Sequence, residues 1–323
     1  MTQSLATPAA LHAGLSRARR LLRTAAVVSC VPYLALKAAW IAGSHVGIPE
    51  GSPLLEHRAT TVVVNGLTVL LDSAVIVLAL VLTRPRGLRM PAWLPAFPMW
   101  VATGLLAPIM AGFPLQLLGR MLGGGGSGDS PRTGDEPFLH DWVFTVVYTG
   151  FIVQGLALGA LFVLYARDRW GYLWRGRVWE LPVGTVGAAQ RFTAVAAAVL
   201  ALFPLGVHVP RAGGDVLEAL FVLFLAAAVT GGCLLAFRRG RALPVAVPLA
   251  LAWVGSGAVT CWGGWLSLAS LGGGGDIAGR PTQLMNVAYA GQMIVGILVS
   301  TVVAYSFAER SAGAARSVRR PSA

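Results

Sequence analysis

Apolar residues in this chain gather into eight long runs, with neither the one-sided stripe of a surface helix nor the alternation of a strand. The runs read as 25–44, 59–83, 92–117, 142–166, 191–209, 215–237, 243–271 and 283–307. Each supplies the roughly 20 apolar residues that a helix needs to cross a hydrocarbon core of about 30 Å. The pattern predicts an all-α polytopic membrane protein with eight transmembrane helices.

Charge sits between the runs, and its sign alternates along the chain. Arg17, Arg19, Arg20 and Arg23 precede the first run, Arg84, Arg86 and Arg89 follow the second, and the basic segment Arg167 to Arg191 separates the fourth from the fifth. Arg238, Arg239 and Arg241 follow the sixth, and Arg310 to Arg320 the eighth. With eight spans all of these fall on one side, which the excess of basic residues in cytoplasmic loops makes the inner one. Both termini are therefore expected inside. The opposite loops carry Glu50, Glu56, Asp129, Asp135, Glu136, Asp141, Asp215, Glu218 and Asp276. Tryptophans flank the runs as an interfacial belt does, with Trp40, Trp142, Trp262 and Trp265 at outer ends and Trp93, Trp170, Trp174 and Trp179 at inner ones.

Two stretches repeat. RGLRMPAWLPAFPMWVATG at 86–104 aligns without gaps on RGRALPVAVPLALAWVGSG at 239–257. Arg86, Gly87, Pro91, Pro95, Trp100, Val101 and Gly104 recur as Arg239, Gly240, Pro244, Pro248, Trp253, Val254 and Gly257, with Thr103 replaced by Ser256. The fourth and eighth runs share Tyr148-x-Gly150-x4-Gly155 and Tyr289-x-Gly291-x4-Gly296. The reading is two parallel four-helix repeats: a basic cytoplasmic tail at 1–24, a first repeat at 25–166, a basic and aromatic linker at 167–190, a second repeat at 191–307 and a basic tail at 308–323. Parallel repeats are a common plan for transporters.

Composition agrees: 56% hydrophobic, 12% charged and a mean hydropathy of +0.70. The net charge of +12 does not point to nucleic acid, because the arginines lie at helix ends rather than along one face. Arg outnumbers Lys 24 to 1, which with abundant Ala and Gly fits a GC-rich bacterial genome and a bacterial cytoplasmic (inner) membrane. The N-terminal run is too long for a secretory leader, contains Lys37 and lacks a small-residue cleavage site, so a retained first helix is expected. Cys30, Cys233 and Cys261 fall inside runs, which suggests neither a disulfide framework nor a zinc site.

Ionisable residues inside the runs are few and costly, so each needs a partner, water or a route to the interface. Asp72, Thr103 and Gln154 fall roughly 18 to 20 Å from the inner ends of their helices at 1.5 Å per residue, with Ser256 slightly further out. A polar layer at one depth is what a substrate or proton pathway requires; a hydrogen-bonded packing seam looks the same, and a helical hydroxyl such as Thr103 or Ser256 also bonds its own i−4 carbonyl. Lys37 lies about 9 Å further out than Asp72 by helix rise. It can snorkel outward, pair with Asp72, or more easily meet Asn65 at its own level.

Outside the runs the chemistry is thinner. His45, His57, His140 and His208 lie at outer helix ends or loops beside Glu50, Glu56 and Asp141; imidazole with carboxylate can ligate a metal, and His57, His140 and Asp141 are the candidates, although no HExxH-type spacing joins them. GGGGSGDS at 123–130 lacks the Lys-Ser/Thr of a phosphate loop and reads as a linker. Nothing calls for a cofactor. The basic and aromatic linker suits anionic headgroups of the bilayer, and a separate ATPase or regulatory subunit is the other partner that could dock on it.

The leading expectation is a small-molecule or ion permease, or the membrane subunit of an exporter, with the pathway at Asp72, Lys37, Asn65, Thr103, Gln154 and Ser256. The alternatives are a membrane-embedded enzyme acting on lipid or isoprenoid substrates at the outer face through His57, His140, Asp141 and Glu218, and a non-transporting scaffold or sensor. The topology is directly testable. An impermeant thiol reagent applied outside should label a cysteine placed at Ser127 and spare one at Ser311; the reverse pattern, or labelling of both, would overturn the eight-span arrangement.

Overall fold

The computed structural model describes residues 8–50, 52, 58–121, 132–133, 136–137, 139–171, 174, 176–178, 187–240, 242–271 and 281–319. These residues are helical almost throughout: α1 Pro8–Val28, α2 Val31–Ile41, α3 Arg58–Thr83, α4 Trp93–Met121, α5 Asp141–Trp170, α6 Gly187–His208, α7 Val216–Phe237, α8 Ala246–Leu271 and α9 Gln283–Arg319. A 3-10 turn at Pro85–Arg89 links α3 to α4, and Arg132–Thr133 (β1) pairs with Glu136–Pro137 (β2) before α5.

Among the described residues, eight helical segments are long and apolar enough to cross a membrane, α1 and α2 together forming the first, Arg17–Ile41. The protein is a multi-pass membrane protein. Its apolar surface fits that setting, since Phe192, Leu202, Leu70 and Leu156 stay largely exposed and have lipid rather than protein to face. Helices outrun the apolar runs at several ends: α1 starts at Pro8, α5 continues to Trp170, and α9 reaches Arg319. Their extensions are rich in Arg and Ala, strong helix formers that hydropathy does not register. The break between α1 and α2 has a covalent cause. Pro32, which has no N–H to donate, occupies the first turn of α2.

The chain divides into two compact units, Met1–Met99 with Leu139–Arg169 and Trp100–Phe138 with Trp170–Ala323. In the first, α3 packs on α1 and α2. The end of α5 locks the α3–α4 connection: the Tyr165 hydroxyl donates to the Gly87 carbonyl at 2.8 Å, and Arg169 donates to that carbonyl at 3.1 Å and to the Met90 carbonyl. A side chain at Gly87 would strike the Val81 carbonyl. Arg19 and Asp168 form an ion pair at 2.5 Å that is partly exposed and adds little.

The second unit is built on α8. Helix–helix attraction in lipid does not come from excluding water, so it depends on close approach of backbones across small residues. α8 has a glycine on each of three faces. A Cβ on Gly255 would lie 2.5 Å from the Ala228 nitrogen of α7, one on Gly263 2.5 Å from the Tyr289 carbonyl of α9, and one on Gly257 3.0 Å from the Trp100 carbonyl of α4. Each contact is therefore backbone against backbone. Gly206 of α6, by contrast, faces open space.

These positions make opposite predictions. Gly255→Ala should destabilise the protein in detergent by roughly 1–3 kcal/mol through overpacking, while Gly206→Ala should stabilise it by about 0.5–1 kcal/mol through helix propensity. Thermal melts of the two variants check this, and equal shifts would remove the close-packing argument.

Candidate functional site

Polar side chains inside the spans are arranged in pairs, each within one unit. In the first unit Lys37 of α2 donates from Nζ to Asn65 Oδ1 of α3 at 2.7 Å, and Asn65 is buried. Two rings flank the ammonium, Tyr33 with its centroid at 4.9 Å and Trp40 at 4.8 Å. Cation–π attraction strengthens where water is absent. Tyr33 is held in turn by Phe151 of α5, edge to face at 4.9 Å. The lysine is thus turned into the protein.

Two turns along α3, Asp72 is 4% exposed and Gln154 of α5 2% exposed. Gln154 Nε2 donates to Asp72 Oδ1 at 3.3 Å. Asp72 Oδ2 and Gln154 Oε1 are both buried and have no hydrogen-bond partner among the described residues. A buried polar group left unsatisfied costs about 1–3 kcal/mol.

In the second unit Ser256 of α8 is fully buried. Instead of bonding its own i−4 carbonyl, its hydroxyl accepts from the Trp100 indole of α4 at 3.0 Å and donates to the Trp253 carbonyl at 3.3 Å. The Trp262 indole donates to the Leu105 carbonyl at 3.1 Å, a second tie between the same helices. Thr103, half-buried, lies on α4 between Trp100 and the Gly104–Gly257 crossing. Gln190 of α6, unremarked in the sequence, is buried and donates to Ser306 at 2.6 Å.

The histidines separate sharply. His45 and His140 are exposed, as is Asp141, which opens α5 with a favourable carboxylate in the first turn; His57 lies outside the described residues. No group of three or more His, Cys, Asp or Glu that could hold a metal occurs among the described residues. His208 departs from the expectation of an interfacial residue. It is fully buried, with Nδ1 2.5 Å from Glu218 Oε2 and Nε2 3.1 Å from Gln292 Oε1. Glu218, expected in an outer loop, is 8% exposed in the first turn of α7. A signal for this was present. Only a short connection separates α6 from α7, so the end of one and the start of the next must lie together.

No protein-family model, curated protein or solved structure matches the chain.

The Lys37–Asn65 contact can be tested by stability alone. Lys37→Met and Asn65→Leu should each destabilise the protein by about 1–3 kcal/mol, because each strands a buried partner. The double variant should cost less than their sum by at least about 0.5 kcal/mol. Strict additivity in thermal melts would mean that the lysine points elsewhere.

Proposed function

We propose that this chain is a small-molecule or ion permease, or the membrane subunit of an exporter, in which Asp72 and Gln154 form the exchange point of the pathway. The observation that carries the reading is the pair of buried acceptors, Asp72 Oδ2 and Gln154 Oε1, that no group among the described residues satisfies. A scaffold needs no such group. Carboxyls in the middle of a span are expensive, and proton relays and ion paths are where they are kept. Lys37, Asn65, Thr103 and Ser256 belong to this reading as the polar lining, with the Trp100–Ser256 bond fixing the register of the helices that carry two of them.

Two parallel four-helix repeats, both termini inside a bacterial cytoplasmic membrane, form the proposed framework. Two facts support the duplication. Gly104 and Gly257, matching positions of the repeated motif, meet each other directly. The same offset that aligns 86–104 with 239–257 also carries Arg58-Ala59 onto Arg211-Ala212 and Asn65 onto Glu218; both of these latter residues take a bond from a basic side chain on the preceding helix. The enzyme reading is weaker, because His140 and Asp141 stand exposed while Glu218 is committed to His208. An exporter would add an ATPase subunit on the basic cytoplasmic segment that follows α5.

Reconstituted vesicles give the test. A potassium-diffusion potential, negative inside, should drive proton uptake through the wild-type protein above the level of empty vesicles, read by an entrapped pH dye. Asp72→Asn should fall to that level with its melting temperature nearly unchanged, since Asn keeps the shape and the bond from Gln154. Full flux through Asp72→Asn would reduce the polar layer to a packing seam and remove the residue-level support for transport.

A further inference from the structure

A second buried titratable group lies in the other unit and takes no part in the Asp72 site. His208 ends α6, Glu218 sits in the first turn of α7, and Gln292 projects from α9. We propose that these three side chains form a binding site for a single proton, with the Gln292 amide as its switch.

Hydrogen-bond logic leads to this directly. Gln292 presents Oε1 to His208 Nε2 at 3.1 Å, and an amide oxygen only accepts, so Nε2 carries a proton. Nδ1 then stands 2.5 Å from Glu218 Oε2. With no proton between them two lone pairs would face each other, and with two the protons would collide. One shared proton remains. The group is therefore neutral overall, as imidazolium with carboxylate or as imidazole with carboxylic acid, which suits a site inside a span.

Loss of one proton defines the other state. The Nε2 proton departs to solvent, the remaining ring proton sits on Nδ1 and donates to the Glu218 carboxylate, and Nε2 is left bare. A bare nitrogen facing Gln292 Oε1 would be repelled. Rotation of the amide brings Nε2 of Gln292 round to donate instead. That amide nitrogen is buried and has no partner among the described residues, so it has a bond to gain. Protonation, ring tautomer and amide orientation change together.

The surroundings hold the ring still. Phe221 packs on His208 with centroids 5.3 Å apart, and Tyr289 stacks on it at 6.4 Å and 27°. Charged groups facing the cluster come from the α6–α7 connection, Arg211 and Asp215, which lie with Glu218 in electrostatic range of Tyr289. Arg211 donates to the Val207 carbonyl, and Asp215 caps α7 by accepting from the Leu217 nitrogen at 2.7 Å. Both are exposed. From α8 the nearest contribution is Trp262, which packs on Phe221; Cys261 turns to Gly104 instead. α4 meets α7 at Gly112 and Leu220 and has no ionisable side chain between Trp100 and Gly119.

Within the permease reading this proton is the coupling ion, a consequence that rests on that reading, whereas the proton site itself does not. The test accordingly uses no transport. Protein carrying nitrogen-15 histidine is placed in lipid nanodiscs, and the ring signals of His208 are followed by nuclear magnetic resonance from acid to alkaline pH. Assignment comes from their loss in His208→Gln or, should that variant not fold, from a chain with His12, His45, His57 and His140 replaced. We expect Nε2 of His208 to pass from protonated to bare while Nδ1 keeps a proton, the opposite of a solvent-exposed imidazole, which mostly retains its Nε2 proton. Glu218→Gln should abolish that inversion. An Nε2 that stays protonated across the range, or an inversion that survives Glu218→Gln, would overturn the proposal. The wild-type titration decides it even where the variant is unstable.

Discussion

Inside a bilayer nothing but the protein itself can satisfy a polar group, and no water is expelled when one apolar helix leaves lipid for another. Helix contacts in the second unit therefore rest largely on how near two backbones can come, and against α7, α4 and α9 it is α8 that sets the distance. Gly255, Gly257 and Gly263 turn three of its faces into bare main chain, against α7, α4 and α9 in turn. Glycine inside a helix normally costs about 0.5–1 kcal/mol relative to alanine. The close approach offsets that cost in dispersion, and it also brings the Trp100 indole within reach of the Ser256 hydroxyl. A register fixed by steric fit thereby becomes a register fixed by hydrogen bonds as well.

The same constraint explains why polar side chains in the spans come in pairs. Lys37 with Asn65, Gln190 with Ser306, Trp100 with Ser256 and His208 with Glu218 each join two helices that consecutive apolar surfaces alone would leave free to slide. Against that background of matched donors and acceptors, the atoms left over are informative. Among the described residues they include Asp72 Oδ2 and Gln154 Oε1, both acceptors, and Gln292 Nε2, a donor, beside oxygens of Thr260, Ser267 and Asn286.

Much of the fold was legible because lipid imposes a blunt rule, a run of about 20 apolar residues per crossing. Eight runs read from hydropathy became eight spans. Helix ends were not legible. The extensions to Pro8, Trp170 and Arg319 are charged or small-residue helix, and hydropathy has nothing to say about them. Residue by residue the site divides in the same way. Asp72 and Lys37 stood out because a charge in an apolar run is conspicuous, and Asn65 followed from its level. His208 and Glu218 sit at the edges of their runs, where a charged residue is ordinary. Their burial depends on α6 and α7 being folded back through a short connection and capped by α9, information that lies in the packing rather than in either run. Gln190 carried no signal, and Gln292 only its depth in the eighth run, since a lone amide in a span is compatible with solvent, lipid headgroup or core.

Matching positions of the proposed duplication also differ in a telling way. Under the offset of the repeated motif Asn65 corresponds to Glu218, and each receives a basic side chain from the helix before it. In the first unit the cation is a lysine between two aromatic rings, and its partner is an amide that cannot ionise. Only the lysine itself can change charge there, and Coulomb compensation has to come from further along α3, where Asp72 lies. In the second unit both members can ionise and one proton serves both, so the pair is neutral without outside help. The two pairs thus have different electrostatic characters. The first leaves its compensating carboxylate displaced to a site with vacant hydrogen-bonding capacity, and the second concentrates charge and compensation at one point.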